Sequence, residues 1–149
     1  MKILFRVDCG NDIGFGHLNR SLAIAKLLSD NYKEVEIIFL TSDNEISNSI
    51  INENKFKYIF NNKCSEEESI IKVVNKNNFD AIFIDKLFPY QSSFIKELQK
   101  YTKVCMFHNY CDGAFNCNQF IFPASHINDK ILKDYRWKKN TVTWIWPMP

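Results

Sequence analysis

Five short apolar runs, separated by segments with helical hydrophobic spacing, limit what this chain can fold into more than any other feature. Residues 3–7, 35–40, 56–60, 81–84 and 104–107 have the length and apolar density of buried strands. The longest helical pattern spans 17–29, where Leu18, Leu22 and Ala25 alternate with Ile24, Leu27 and Leu28 to give a broad packing face. Thr41-Ser42-Asp43 reads as the cap of a second helix carrying Ile46, Ile50 and Ile51. Ser65, followed by Glu66, Glu67 and Glu68, opens a third with Ile70, Ile71, Val73 and Val74, and residues 91–101 form a fourth. Strand and helix in strict alternation predict an α/β fold: a Rossmann-like, mainly parallel sheet with helices on both faces. Ligands of such sheets bind at the carboxyl ends of the strands.

Beyond residue 110 the pattern thins. Residues 119–122 are a candidate sixth strand and 128–135 a short helix. A length of 149 residues suits one compact domain. Trp144-Ile145-Trp146-Pro147-Met148-Pro149 joins bulky apolar residues to two prolines, which places a domain over 1–145 and the start of an interdomain connector at 146–149.

The first strand leads into Asp8-Cys9-Gly10-Asn11-Asp12 and then Gly14-Phe15-Gly16-His17, where the first helix begins. Glycines let a backbone turn sharply and approach a ligand, and a helix N-terminus offers unpaired N–H groups. The positive end of the helix dipole disfavours imidazolium, so His17 is a candidate general base. Gly10, Gly14 and Gly16 do not spell the dinucleotide fingerprint, and no lysine-serine or lysine-threonine pair completes a P-loop. Asp8 and Asp85 both end strands. Asp8 is a candidate to orient His17 or to bind a polar ligand, with a simple loop hydrogen bond as the alternative. Arg20, three residues beyond His17, either anchors a polar substrate or pairs with Asp8 or Asp12.

Charge and composition remove several classes. Nineteen basic against 17 acidic residues leave +2, too near balance for net charge to drive binding to nucleic acid or an anionic membrane. No apolar run approaches the roughly 20 residues of a membrane span, and the expectation is a cytoplasmic protein. Cys9, Cys64, Cys105, Cys111 and Cys117 are read as reduced thiols. Cys105, His108, Cys111 and Cys117 include soft ligands, but their spacing matches no paired zinc knuckle and Cys105 belongs in a strand, so no metal is expected.

Arg6-Val7-Asp8 together with Ile13-Gly14-Phe15-Gly16-His17-Leu18-Asn19-Arg20 resembles the amino-terminal signature of the PseG-like nucleotide-sugar hydrolases of pseudaminic acid biosynthesis. That family resembles the GT-B glycosyltransferases, in which two Rossmann-like domains enclose a UDP-sugar. The resemblance implies that this chain corresponds to the amino-terminal domain, that a complementary carboxyl-terminal domain holds the nucleotide, and that no cofactor is used. It also implies that His17 activates water for attack at the anomeric carbon of an amino-deoxy sugar, releasing UDP with inversion. Asp8, Gly14, Phe15, Gly16, Arg20 and Asp85 become the substrate-binding candidates. The chain departs from the family after Asp85, where Lys86-Leu87-Phe88-Pro89-Tyr90 replaces the usual early histidine and tyrosine, and after the fifth strand, where His108-Asn109 replaces acidic residues. Two other readings stand beside hydrolysis. The same base could activate an acceptor hydroxyl in a glycosyltransferase, or the chain could be a noncatalytic assembly module docking through its aromatic end.

Overall fold

A computed structural model of the protein describes residues 1–10, 14–61, 64–123 and 141–144. Its elements follow the expected alternation: β1 (Lys2–Val7), α1 (Gly16–Asn31), β2 (Glu36–Thr41), α2 (Glu45–Glu53), β3 (Lys57–Phe60), α3 (Glu66–Asn77), β4 (Ala81–Asp85), α4 (Ser92–Leu98), β5 (Lys103–Phe107), a 3₁₀ turn η1 (Asp112–Asn116), β6 (Gln119–Pro123) and β7 (Thr141–Trp144). The strands form one seven-stranded sheet in the order β3-β2-β1-β4-β5-β6-β7, and every pairing is parallel. Order reverses between β1 and β4. That reversal opens a crevice at their carboxyl ends, where ligands of open α/β sheets collect.

Side-chain alternation sends each strand's residues to two separate cores. On one face Ile3, Phe5 and Val7 of β1 pack with Leu18, Leu22 and Ala25 of α1 and Ile51 of α2. On the other, Leu4, Ile82, Ile84, Val104 and Met106 pack with Ile70 and Val74 of α3 and Phe94, Ile95 and Leu98 of α4. Strands buried on both sides need apolar residues at nearly every position, which is why these runs are continuous rather than alternating.

Local signals explain most boundaries. Ser65 accepts from the Glu68 N–H while the Glu68 carboxylate accepts from the Ser65 N–H, a complete capping box at the start of α3. The cap of α2 is Asn44, whose side chain accepts from Ile46 N at 2.9 Å, and not the Thr41-Ser42-Asp43 segment. Thr41 is the last residue of β2, still paired to Phe60, so it cannot also begin a helix. The fourth helix stops at Leu98, short of 101, and β7 extends the sheet beyond the sixth strand that sequence suggests. The expected helix at 128–135 and connector at 146–149 lie outside the described residues.

The candidate cysteine cluster is divided by the sheet. Cys105 belongs to the α1 face, whereas Cys111 and Cys117 pack on the α4 face. Burial pushes the Cys105 thiol up, away from thiolate.

Candidate active site

Two polar clusters cap the two cores at the crevice, and the β1–β4 register decides which residues enter each. Val7 lies opposite Asp85 in the parallel ladder, so Asp85 shares the α1 face with Val7. Arg6 and Asp8 have the opposite parity and turn toward α3.

On the α1 face, His17 Nδ1 lies 2.6 Å from Asp85 Oδ1. A carboxylate oxygen only accepts, so Nδ1 carries a proton, and in the neutral ring the lone pair then falls on Nε2. Arg20 donates from Nε to Asp85 Oδ2 at 2.8 Å and from Nη2 to Oδ1 at 2.5 Å, a bidentate clamp on the same carboxylate. Its Nη2 stands 3.2 Å from His17 Nδ1 as a second donor aimed at the shared oxygen. Ser21 Oγ lies 3.4 Å from Oδ2, and the guanidinium stacks 4.2 Å above the Phe107 ring. The His17 side chain is 16% exposed and Asp85 only 4%, so the acid is sealed beneath a reachable imidazole. Among the described residues, none hydrogen-bonds to Nε2.

The loop before His17 is closed at its base by Gly14 N donating to Gly10 O at 2.8 Å. Gly14 has φ +77, a left-handed backbone that suits glycine. Phe15 is the N-cap of α1, 40% exposed, with no side-chain cap; no acidic residue stands in the first turn. A Cβ at Gly16 would meet nothing within 4 Å, so packing does not demand glycine there.

Asp8 does not approach His17. It pairs with Arg6, whose Nη1 and Nη2 donate to Oδ1 and Oδ2 at 2.5 and 2.8 Å, and with Lys86 Nζ at 2.7 Å. Ser42 N also donates to Asp8 Oδ1, tying the β1 and β2 loops together. Arg6 reaches Glu66 at the start of α3, and Lys86 and the Tyr90 hydroxyl both donate to Glu66 as well. Burial pushes the Asp8 and Glu66 carboxyls up, but the hydrogen bonds and charges of Arg6 and Lys86 outweigh it and hold both below the usual carboxylate range. Burial and the Glu66 carboxylate raise the Tyr90 hydroxyl, which stays a proton donor.

The expected pairing of Arg20 with Asp8 is therefore replaced by one with Asp85, and the proposed Asp8 contact to His17 by an Asp85 contact. Asp12 lies outside the described residues. Sequence reading missed Glu66, Lys86 and Tyr90. Glu66 looks like an ordinary first-turn helix acid, and only its position beside the crevice distinguishes it. Asn109 is also spoken for: its amide donates to Lys86 O at 2.9 Å and Phe88 O at 2.7 Å, fastening the β5 loop to the β4 loop. Between those loops lies a hollow of about 300 Å³, with Leu87, Phe88 and Gln91 on one wall and Tyr110 and Asp112 on the other.

No family model matches the chain. Over 107 residues, 72% of its length, it is 34% identical to an uncharacterised protein of Methanocaldococcus jannaschii, of which it spans 21%. Over 126 residues, 80% of its length, it is 25% identical to the UDP-2,4-diacetamido-2,4,6-trideoxy-beta-L-altropyranose hydrolase of Campylobacter jejuni, of which it spans 43%. Superposed on MurG of Acinetobacter baumannii, it gives a TM-score of 0.60 at 11% identity, covering 83% of this chain and 41% of that one. The fold is GT-B-like. This GT-B-like chain spans less than half the length of each of these proteins. None of the helices among its described residues is long and apolar enough to cross a membrane.

Proposed function

We propose that this chain is the catalytic-base half of a nucleotide-sugar hydrolase. The observation that carries the reading is the His17–Asp85 contact, which leaves an imidazole lone pair at the carboxyl edge of a GT-B-like sheet. The sequence similarity to a UDP-sugar hydrolase supports the substrate class: a UDP-linked amino-deoxy sugar. In this mechanism water attacks the anomeric carbon, its proton passes to His17 Nε2, the bond from that carbon to the UDP oxygen breaks, and UDP leaves with its bonding pair. Asp85 holds the ring in the tautomer that keeps Nε2 free and stabilises the imidazolium as it forms. The backbone from Gly14 to Gly16 shapes the sugar pocket, and Phe15 covers it. Asp8 and Arg20 have their hydrogen bonds committed within the protein and hold the site together. A complementary domain supplies the contacts to UDP.

The test is UDP release from a UDP-linked diacetamido-trideoxy sugar by this chain combined with a nucleotide-binding half, with the sugar product followed by NMR. Free reducing sugar of inverted anomeric configuration is expected. Transfer to an added sugar acceptor in preference to water would instead make it a transferase, and turnover absent under all conditions would favour an assembly module.

A further inference from the structure

We infer that Arg20 is a positioning residue that sets how tightly His17 holds a proton, by sharing the Asp85 carboxylate with it. The inference rests on the reading of His17 as a base for its significance, though its geometry stands without that reading. Asp85 Oδ1 receives both His17 Nδ1 and Arg20 Nη2, and Arg20 Nε occupies Oδ2. A histidine facing a lone carboxylate binds its proton tightly, because the imidazolium gains the full attraction of the anion. Here a permanent cation already neutralises that anion, and the guanidinium sits close enough to Nδ1 to oppose a second positive charge. Asp85 thereby orients the ring, while Arg20 opposes the added proton.

The arrangement is built rather than incidental. Phe107 stacks beneath the guanidinium, and Ser21 lies beside the far carboxylate oxygen. Among the described residues, the charged side chains in contact with His17 are Asp85 from β4 and Arg20 from its own helix, which stand beside the positive end of α1, while β5 contributes the uncharged Phe107. Lys86 and Asp8 belong to the opposite face, where they are paired with Glu66 and Arg6.

The test is an NMR titration of the imidazole resonances in the full chain, with His17 assigned by the signal lost in His17→Asn. Arg20→Gln should raise the His17 midpoint by about one unit, roughly tenfold tighter proton binding. Arg20→Lys, which keeps the charge without the fork, should restore most of the wild-type midpoint and serves as a folded control. Asp85→Asn should move the midpoint down. An unchanged or lowered midpoint in Arg20→Gln overturns the inference, as does a higher KM for the UDP-sugar with the midpoint fixed, which would make Arg20 a substrate ligand. The titration needs no substrate, so a midpoint that moves in this chain while its two-domain assembly lacks hydrolase activity sinks the functional reading and leaves this coupling standing.

Discussion

Gly14 and Gly16 flank Phe15 just ahead of His17, yet they are glycines for different reasons. Gly14 has a positive φ, so Gly14→Ala should cost about 1 kcal/mol through strain in the left-handed region. Gly16 begins α1 with open space where a Cβ would stand, so Gly16→Ala should leave stability unchanged or raise it by up to about 1 kcal/mol. Denaturant melts of the two variants check the pair. The proposed function adds that Gly16→Ala should still impair turnover, since the methyl group would stand where the sugar approaches. Normal turnover in Gly16→Ala would show that this edge is not the substrate pocket. His17 and its glycines are legible from sequence because they sit within four consecutive residues. The partner of His17 is not, because Asp85 is 68 residues away and Asp8 also ends a strand.

Elements decide what single residues leave ambiguous. The parity of β1 and β4 separates Asp8 from Asp85, and it can be worked out only once the Val7–Asp85 register is known. The resulting Arg6–Asp8–Glu66–Lys86 cluster ties β1 and the β4 loop to the first turn of α3. Arg6→Met should destabilise by about 3–5 kcal/mol, because it leaves two sealed carboxylates sharing one lysine. The same cluster fixes the acid response. Asp8 and Glu66 have folded values below their unfolded ones, so the stability they contribute is complete above the usual carboxylate range near pH 4 and drains away as pH falls below it. The urea midpoint should therefore begin to fall near pH 5 and drop most steeply between about pH 4 and pH 2, with a shallower fall in Arg6→Met. A wild-type midpoint that stays flat across that interval contradicts the assignment. Elsewhere, a Cβ at Gly113 would lie 2.7 Å from Ile95 Cγ1 and 2.9 Å from Tyr90 O, so Gly113→Ala should cost about 1–3 kcal/mol by prying η1 from α4.

Across the whole molecule, the alternation of apolar runs and helical patterns made the α/β class and the first six strands readable, since the central runs of β1, β2 and β5 are buried at nearly every position. β7 was hidden because Trp144 stands beside prolines and reads as a departing tail, although Thr141–Trp144 pairs with β6. Long-range polar pairing was equally hidden, because the sequence shows which residues end strands but not which of two faces they share. The reversal between β1 and β4 converts those local facts into a site, bringing a helix N-terminus, a histidine and a buried aspartate to one edge. The central claim is that His17 and Asp85 work as one base. It is tested most directly by a double-mutant cycle on UDP release in the complete two-domain assembly, under conditions where chemistry limits the rate. His17→Asn should lower turnover by about 100-fold to 10,000-fold, and adding Asp85→Asn to that variant should cost almost nothing more. Near-normal turnover in His17→Asn, or losses that simply multiply in the double variant, would contradict it.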